Sequence, residues 1–249
     1  MSKFILLSTQ RSGTTWLIDA LNHVEGITAY GEMLLERSRE WDAGSLSYPG
    51  YVDTKEGRDG GTRNLFRYLD GLYATGPVVG FKLMYSQIRL NPSILPYLLR
   101  RRVQVLHMIR RNYLDTALSQ LQLRARGQAH AQSQQERPET LKLTIPPEEL
   151  LDEIRRIEKK IQFMQRTARL SGLPVLEVSY EALRQDAGQF HNIVAFLGLE
   201  ANGIAMESRL VKIRGKGYEE AIQNYAEVSD ALLKSPYASL LTDPLLTQS

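Results

Sequence analysis

Short apolar runs alternate along the chain with stretches that carry helical periodicity. Phe4 to Leu7, Val78 to Lys82, Val103 to Ile109 and Pro174 to Val178 are the strand candidates, and a helix candidate follows each. Strands that alternate with helices predict a parallel sheet covered on both faces. The expected fold class is therefore α/β, a three-layer sandwich around a central parallel sheet. The clearest helix spans about Glu148 to Leu170, where Leu150, Ile154, Ile157, Ile161, Met164 and Ala168 draw one apolar stripe. Pro146 and Pro147 precede it, and Gly172 and Pro174 end it. Packing of the stripe on the sheet is the expectation, with a dimer seam as the alternative. No internal repeat and no dividing linker interrupt the pattern, so residues 1–249 are expected to form a single domain. Two polar stretches, 42–62 and 124–140, read as insertions between core elements.

In open α/β sheets ligands bind outside the carboxyl ends of the strands, and those ends carry the distinctive residues here. After the first strand comes Ser8-Thr9-Gln10-Arg11-Ser12-Gly13-Thr14-Thr15-Trp16, then a helix from about Leu17 to Leu21. A strand, a tight polar turn and a helix N-terminus make an anion cradle, because backbone N–H groups converge there and the helix dipole favours negative charge. Measured against the ATP-binding loop G-x-x-x-x-G-K-[ST], Ser8 takes the first glycine position, Gly13 the second, and Thr14 replaces the lysine. The lysine that clamps β- and γ-phosphates is missing, and no strand ends in an obvious magnesium aspartate. A donor with fewer phosphate charges needs neither. The turn favours a 5′-phosphosulfate over a triphosphate and leaves metal out of the expected site.

Arg11-Ser12-Gly13-Thr14-Thr15-Trp16 resembles the 5′-phosphosulfate loop of sulfotransferases, [KR]-[ST]-G-T-T-x. Arg111-Asn112-Tyr113-Leu114-Asp115-Thr116-Ala117-Leu118-Ser119 is similar to the family's 3′-phosphate motif, R-[ND]-x-x-D-x-x-x-S. Val178-Ser179-Tyr180-Glu181-Ala182-Leu183, with Phe196-Leu197-Gly198-Leu199 downstream, resembles a third family segment, and Arg214-Gly215-Lys216-Gly217 resembles loosely the turn that closes over the 3′-phosphate. The resemblance implies a P-loop NTPase-like fold and sulfonate transfer from 3′-phosphoadenosine 5′-phosphosulfate (PAPS), with PAP as product. It implies that Arg11 contacts the transferring sulfonate, that Ser12, Gly13, Thr14 and Thr15 belong to the 5′-phosphate loop, and that Trp16 and Tyr180 lie by the adenine. Arg111 and Ser119 would hold the 3′-phosphate, together with Arg214 or Lys216 in the turn that Gly215 and Gly217 shape. Arg111 and Ser119 are eight residues apart, about two helical turns, so both can flank one anion only if Arg111 precedes the helix and reaches back. An ATP-dependent phosphotransferase and a nucleotide-binding module without catalysis are the competing readings.

Sulfonate transfer needs a base for the acceptor proton and cations for the leaving oxygen. The cytosolic branch of the family takes its base from a K-T-H triplet, but the corresponding residues here are Lys82-Leu83-Met84, and methionine is no base. Of the four histidines, His107 reads as core, and His23 and His191 read as helix-end residues. His130 lies in the 124–140 stretch, which is either a plain surface loop or an acceptor-binding lid. Glu32, in Tyr30-Gly31-Glu32-Met33-Leu34, is the better candidate, because in related branches a G-E segment follows the loop arginine at about this distance. Glu36 and His130 are held in reserve, and Lys82 is the expected partner of the leaving oxygen.

Composition adds limits. With 31 basic against 28 acidic residues the net charge is only +3, too little to argue for a nucleic-acid partner. The basic side chains cluster instead at Arg100-Arg101-Arg102, Arg110-Arg111 and Arg214 with Lys216, which suits a small polyanion or a solvated face. The absence of cysteine excludes a thiol nucleophile, a disulfide framework and a thiolate metal site. No apolar run approaches the ~18 residues of a membrane span, and the N-terminal run is too short for a secretory signal. A cytoplasmic enzyme is expected, with a small-molecule, lipid, saccharide or polyketide acceptor that the sequence does not name.

Overall fold

The computed structural model describes residues 1–35, 48–126, 142–186, 188–200 and 217–241. They fall into two compact units, one of residues 1–109 and 164–209, the other of 110–163 and 210–249, with the described residues of each considered below.

The first unit holds a five-stranded, all-parallel sheet of order β2-β3-β1-β4-β5. Its strands are β1 (Ser2–Ser8), β2 (Ile27–Tyr30), β3 (Val78–Met84), β4 (Gln104–Ile109) and β5 (Val175–Ser179). Four of them match the apolar runs. β2 is an addition, because four residues directly after a turn leave little alternation to read. β1 is central and apolar from Phe4 to Leu7, as a strand covered on both faces must be. Helices α1 (Thr14–Leu21), α2 (Lys55–Asp59), α3 (Thr62–Tyr73), α4 (Tyr85–Leu90) and α5 (Ile94–Arg101) lie between the strands.

The two faces of β1 carry separate cores. Phe4 and Leu6 join Leu17, Ile18 and Leu21 of α1 and, from helices described below, Leu183, Phe190, Ile193 and Val194. On the opposite face Phe81 of β3 meets Tyr73 of α3, which stacks on Tyr97 of α5. That places helices on both sides of the sheet, as the alternation predicts. Where the ring of Phe4 crosses β3, residue 80 is glycine, and a Cβ there would sit 2.4 Å from the ring. Of the glycine-rich stretch 42–62, residues 48–62 are described and are held by local bonds. They contain a 3-10 turn, Tyr51–Asp53, and α2, whose N-terminus Thr54 caps by accepting from the Gly57 N–H at 3.0 Å.

In the second unit, α6 (Tyr113–Arg126) begins at Asn112, whose Oδ1 accepts the Asp115 N–H at 3.0 Å. Helix α7 (Pro147–Leu170) starts in this unit and ends in the first. Leu150, Ile154, Ile157, Ile161 and Ala168 of its expected stripe are all buried, which marks the stripe as scaffold. Glu148 and Glu149 stand in its first turn and Arg169 in its last, both favourable to the helix dipole. The first unit resumes with β5, α8 (Tyr180–Gln185) and α9 (Gly188–Phe196), while α10 (Tyr218–Ala221) and α11 (Tyr225–Leu233) belong to the second. In the second unit the Leu143 segment pairs with Ile222 and the Asn224 side chain bonds Ile145 twice, which ties α10 and α11 to the strand-like entry of α7. Among the described residues no helix is long and apolar enough to cross a membrane.

Candidate active site

The loop after β1 has a backbone that the chemistry of its residues explains. Ser8 is fully buried and its Oγ donates to the Met108 carbonyl at 2.6 Å, which pins the end of β1 to β4. Ser12, also fully buried, donates to the Thr9 carbonyl at 3.0 Å and folds the turn back on itself. Arg11 has φ 65 and Gly13 φ 84, so two residues of the turn lie in the left-handed region. Glycine enters that region freely; arginine does so at a cost, and such positions concentrate at functional sites. Gly13 then caps α1, with Thr14 and Thr15 opening the helix and Leu17 N–H bonding the Gly13 carbonyl at 3.2 Å.

Gly13 is required for a second reason. A Cβ on it would fall 2.4 Å from Cδ2 of Tyr180, the first residue of α8. Tyr180 is buried, and Trp16 meets it edge-on with ring centroids 5.8 Å apart at 74°. Two aromatic residues that the sequence places 164 positions apart thus stand together, with the tyrosine against the loop glycine. The substitution Gly13→Ala is expected to cost about 1–2 kcal/mol from the left-handed backbone alone, and more from displacing the Tyr180 ring. Thermal unfolding of Gly13→Ala alone and with Tyr180→Ala measures both parts. The second change relieves the ring clash and leaves the backbone cost in place.

Glu32 and Lys82, expected separately as base and as partner of the leaving oxygen, form an ion pair that the sequence did not indicate. The Lys82 backbone N–H bonds the Gly31 carbonyl at 3.1 Å, so β2 and β3 continue their pairing just far enough to bring Glu32 beside Lys82. Lys82 Nζ lies 3.2 Å from Glu32 Oε1 and donates to Thr15 Oγ1 at 3.2 Å. The lysine side chain is 3% exposed and the glutamate 15%. Lys82 therefore joins the phosphate-type loop to the candidate base. The other carboxylate oxygen, Oε2, accepts from Gln87 Nε2 at 2.9 Å. No local pattern singles out Gln87, an amide in an ordinary helical stretch. Met84, at the expected histidine position, is 2% exposed and ends β3.

The second unit holds the other motif. Arg111 is exposed and precedes α6, while Ser119 lies in α6 and is half-buried, so Arg111 stands outside the helix as their spacing requires. Between them Asp115 is buried and ion-paired with Arg110, and Asn112 Nδ2 donates to Tyr218 Oη at 2.9 Å. Gly217 caps α10. Arg214, Gly215 and Lys216, together with the reserve candidates Glu36 and His130, lie outside the described residues, as does most of the 124–140 stretch.

His107 is the core residue expected. It is 1% exposed, and Nε2 lies 2.5 Å from the Tyr85 hydroxyl. Burial pushes its pKa down to about 4, which the nearby Glu177 charge partly opposes. It is therefore neutral at pH 7. His23 Nδ1 lies 2.8 Å from the Asp19 carbonyl at the end of α1, in keeping with a helix-end role.

No protein-family profile matches the chain, and no curated protein sequence does. Among solved structures, a sulfotransferase from Alicyclobacillus acidocaldarius is similar at 17% identity and a TM-score of 0.49, covering 94% of this chain and 95% of that one. Mouse sulfotransferase SULT7A1 in complex with PAP is similar at 12% identity and a TM-score of 0.47, covering 97% of this chain and 87% of that one. These values are too low for the likeness to transfer an activity.

Proposed function

We propose that the protein is a PAPS-dependent sulfotransferase that transfers a sulfonate to a hydroxyl or amine of a small-molecule, lipid, saccharide or polyketide acceptor. The observation that carries the reading is the convergence of Thr15, Lys82 and Glu32, which joins the loop that resembles a 5′-phosphosulfate site to a cation and a carboxylate. Tyr180 against Gly13, with Trp16 edge-on to the tyrosine, adds an aromatic wall beside that loop, suited to a nucleobase. The assignment of the 3′-phosphate to Arg111 and Ser119 rests on their motif, and that of the 214–217 turn on its looser resemblance.

In this reading the acceptor oxygen attacks sulfur, the bond from sulfur to the bridging phosphate oxygen breaks, and PAP leaves with that electron pair. Glu32 takes the acceptor proton, Lys82 and Arg11 face the charge that develops, and the loop amides with Thr14 and Thr15 hold the 5′-phosphate. Thr14 stands where the ATP loop carries its lysine and no strand of the sequence ends in an obvious magnesium aspartate, so transfer is expected to need no metal.

The test is donor selectivity. Calorimetry is expected to find PAPS bound more tightly than adenosine 5′-phosphosulfate, which lacks the 3′-phosphate. A charge-assisted phosphate contact is worth ~1.5–3 kcal/mol, or roughly 10- to 150-fold in affinity. Arg111→Ala should erase most of that gap. Equal affinities in the parent protein would overturn the 3′-phosphate assignment. Label transfer from PAPS to an acceptor panel should persist under EDTA, whereas transfer from ATP that needs magnesium would bring the phosphotransferase forward. PAPS binding with no transfer would leave a binding module.

A further inference from the structure

We propose that Gln87 is a positioning residue for the Glu32 carboxylate, a role that rests on the reading of Glu32 as the general base. Gln87 is 2% exposed although it is a polar side chain on the six-residue α4, and a buried amide must spend its hydrogen bonds well. It spends them on two partners. Its Oε1 accepts the Met84 backbone N–H at 3.0 Å, and its Nε2 donates to Glu32 Oε2 at 2.9 Å. The first bond fixes the amide to the end of β3, the strand that also carries Lys82. The second transmits that fixed position to the carboxylate, 55 residues away in sequence.

The two oxygens of Glu32 are thus held by different kinds of donor. Lys82 takes Oε1 as a cation, and the same ammonium reaches Thr15 in the loop. In the proposed reaction Lys82 is drawn toward the leaving oxygen, which weakens its hold on Glu32. Gln87 carries no charge that would draw it toward an anion. It keeps one carboxylate oxygen in place while the other turns to the acceptor proton. A base displaced by about 1 Å can lose on the order of a hundredfold in rate, so this anchoring has a kinetic consequence. Met84 meets the Gln87 amide through its backbone, so this bond does not depend on the methionine side chain.

Two substitutions separate the bonds. Gln87→Glu keeps an acceptor for the Met84 N–H and loses the donor to Glu32, while Gln87→Leu loses both. The readout is PAP release from PAPS by the full-length protein, which counts transfer to water as well as to benzyl alcohol supplied as a weakly acidic acceptor. Gln87→Glu is expected to lower kcat by roughly 10- to 100-fold at pH 8 and leave the KM for PAPS within about twofold, since the change acts on the base. On acidification it should recover relative to the parent, because the introduced carboxyl, once protonated, can again donate to Glu32. A purely structural role for Gln87 predicts instead that any loss of kcat and its recovery follow the folded fraction, read by thermal unfolding at each pH, with no loss per folded molecule. Gln87→Leu should be impaired at every pH, and Gln87→Glu keeps the test valid even if the leucine variant fails to fold. If both variants match the parent while Glu32→Gln is impaired, the positioning role is wrong and the base assignment stands. If Glu32→Gln also matches the parent, the base assignment itself fails and the proposal falls with it. A parent protein that binds PAPS and releases no PAP with any acceptor of the panel is a binding module, and this inference falls with the enzyme reading.

Discussion

Glu32→Gln is expected to bind PAPS about as tightly as the parent and to turn over roughly 10² to 10⁴ times more slowly, the usual worth of a positioned general base. The isostere removes basicity and little volume. It retains an acceptor for either Lys82 or Gln87, which hold different oxygens of the carboxylate. The local fold should therefore survive, because β2 and β3 are joined through the Gly31 carbonyl and the Lys82 N–H rather than through the side chain. Equilibrium binding of PAPS and single-turnover transfer to a weakly acidic alcohol measure the two quantities separately. The choice of acceptor matters, since a phenol already ionised in solution needs no base and would show no effect. Near-parental turnover on an alcohol clears Glu32 of the role and directs attention to Glu36 and His130.

The parts of this arrangement differ in how far the sequence announces them. The loop from Arg11 to Trp16 and its position after the first strand are legible, because a strand, a polar turn with glycine and a helix start are consecutive in the chain. The left-handed backbone of Arg11 is not, since nothing local in an arginine signals a positive φ. Glu32 and Lys82 are each identifiable as candidates by resemblance. Their contact depends on the register of β2 against β3, and β2 is a four-residue strand that periodicity does not reveal. Gln87 is invisible for a related reason. Its place in the site comes from a bond that spans 55 residues, while locally it is one polar position in a short helix. Tyr180 is carried over by resemblance alone, and its place against Gly13 and Trp16 supplies the physical reason for a tyrosine there. The buried Asp115 and Asn112 show the converse. The motif that contains Arg111 and Ser119 owes its middle residues to helix capping and an ion pair, which any helix start of this kind could need.

Lys82→Met is expected to separate the two duties of the lysine. The methionine fills a similar volume, removes the cation beside Thr15 and leaves Glu32 with its charge and without that partner. Breaking a buried pair by removing one member can cost about 3–5 kcal/mol, but the glutamate is partly exposed and keeps its bond to Gln87. A loss of ~1–3 kcal/mol in unfolding free energy is the reasonable expectation. Turnover should fall by a further, independent mechanism. Removing one group that stabilises charge on a leaving oxygen costs about 10²- to 10³-fold in kcat. The double variant Lys82→Met with Glu32→Gln distinguishes the two effects, because a neutral amide beside a methionine no longer strands a charge. Its stability should return most of the way to that of the parent in chemical denaturation, while its turnover stays at or below that of the slower single variant. If the double variant regains activity along with stability, Lys82 served only to neutralise Glu32, and neither the leaving-group role of Lys82 nor the base role of Glu32 stands. If neither single nor double substitution changes turnover, the Thr15–Lys82–Glu32 array is a structural ion pair, and the chemistry of this protein lies elsewhere.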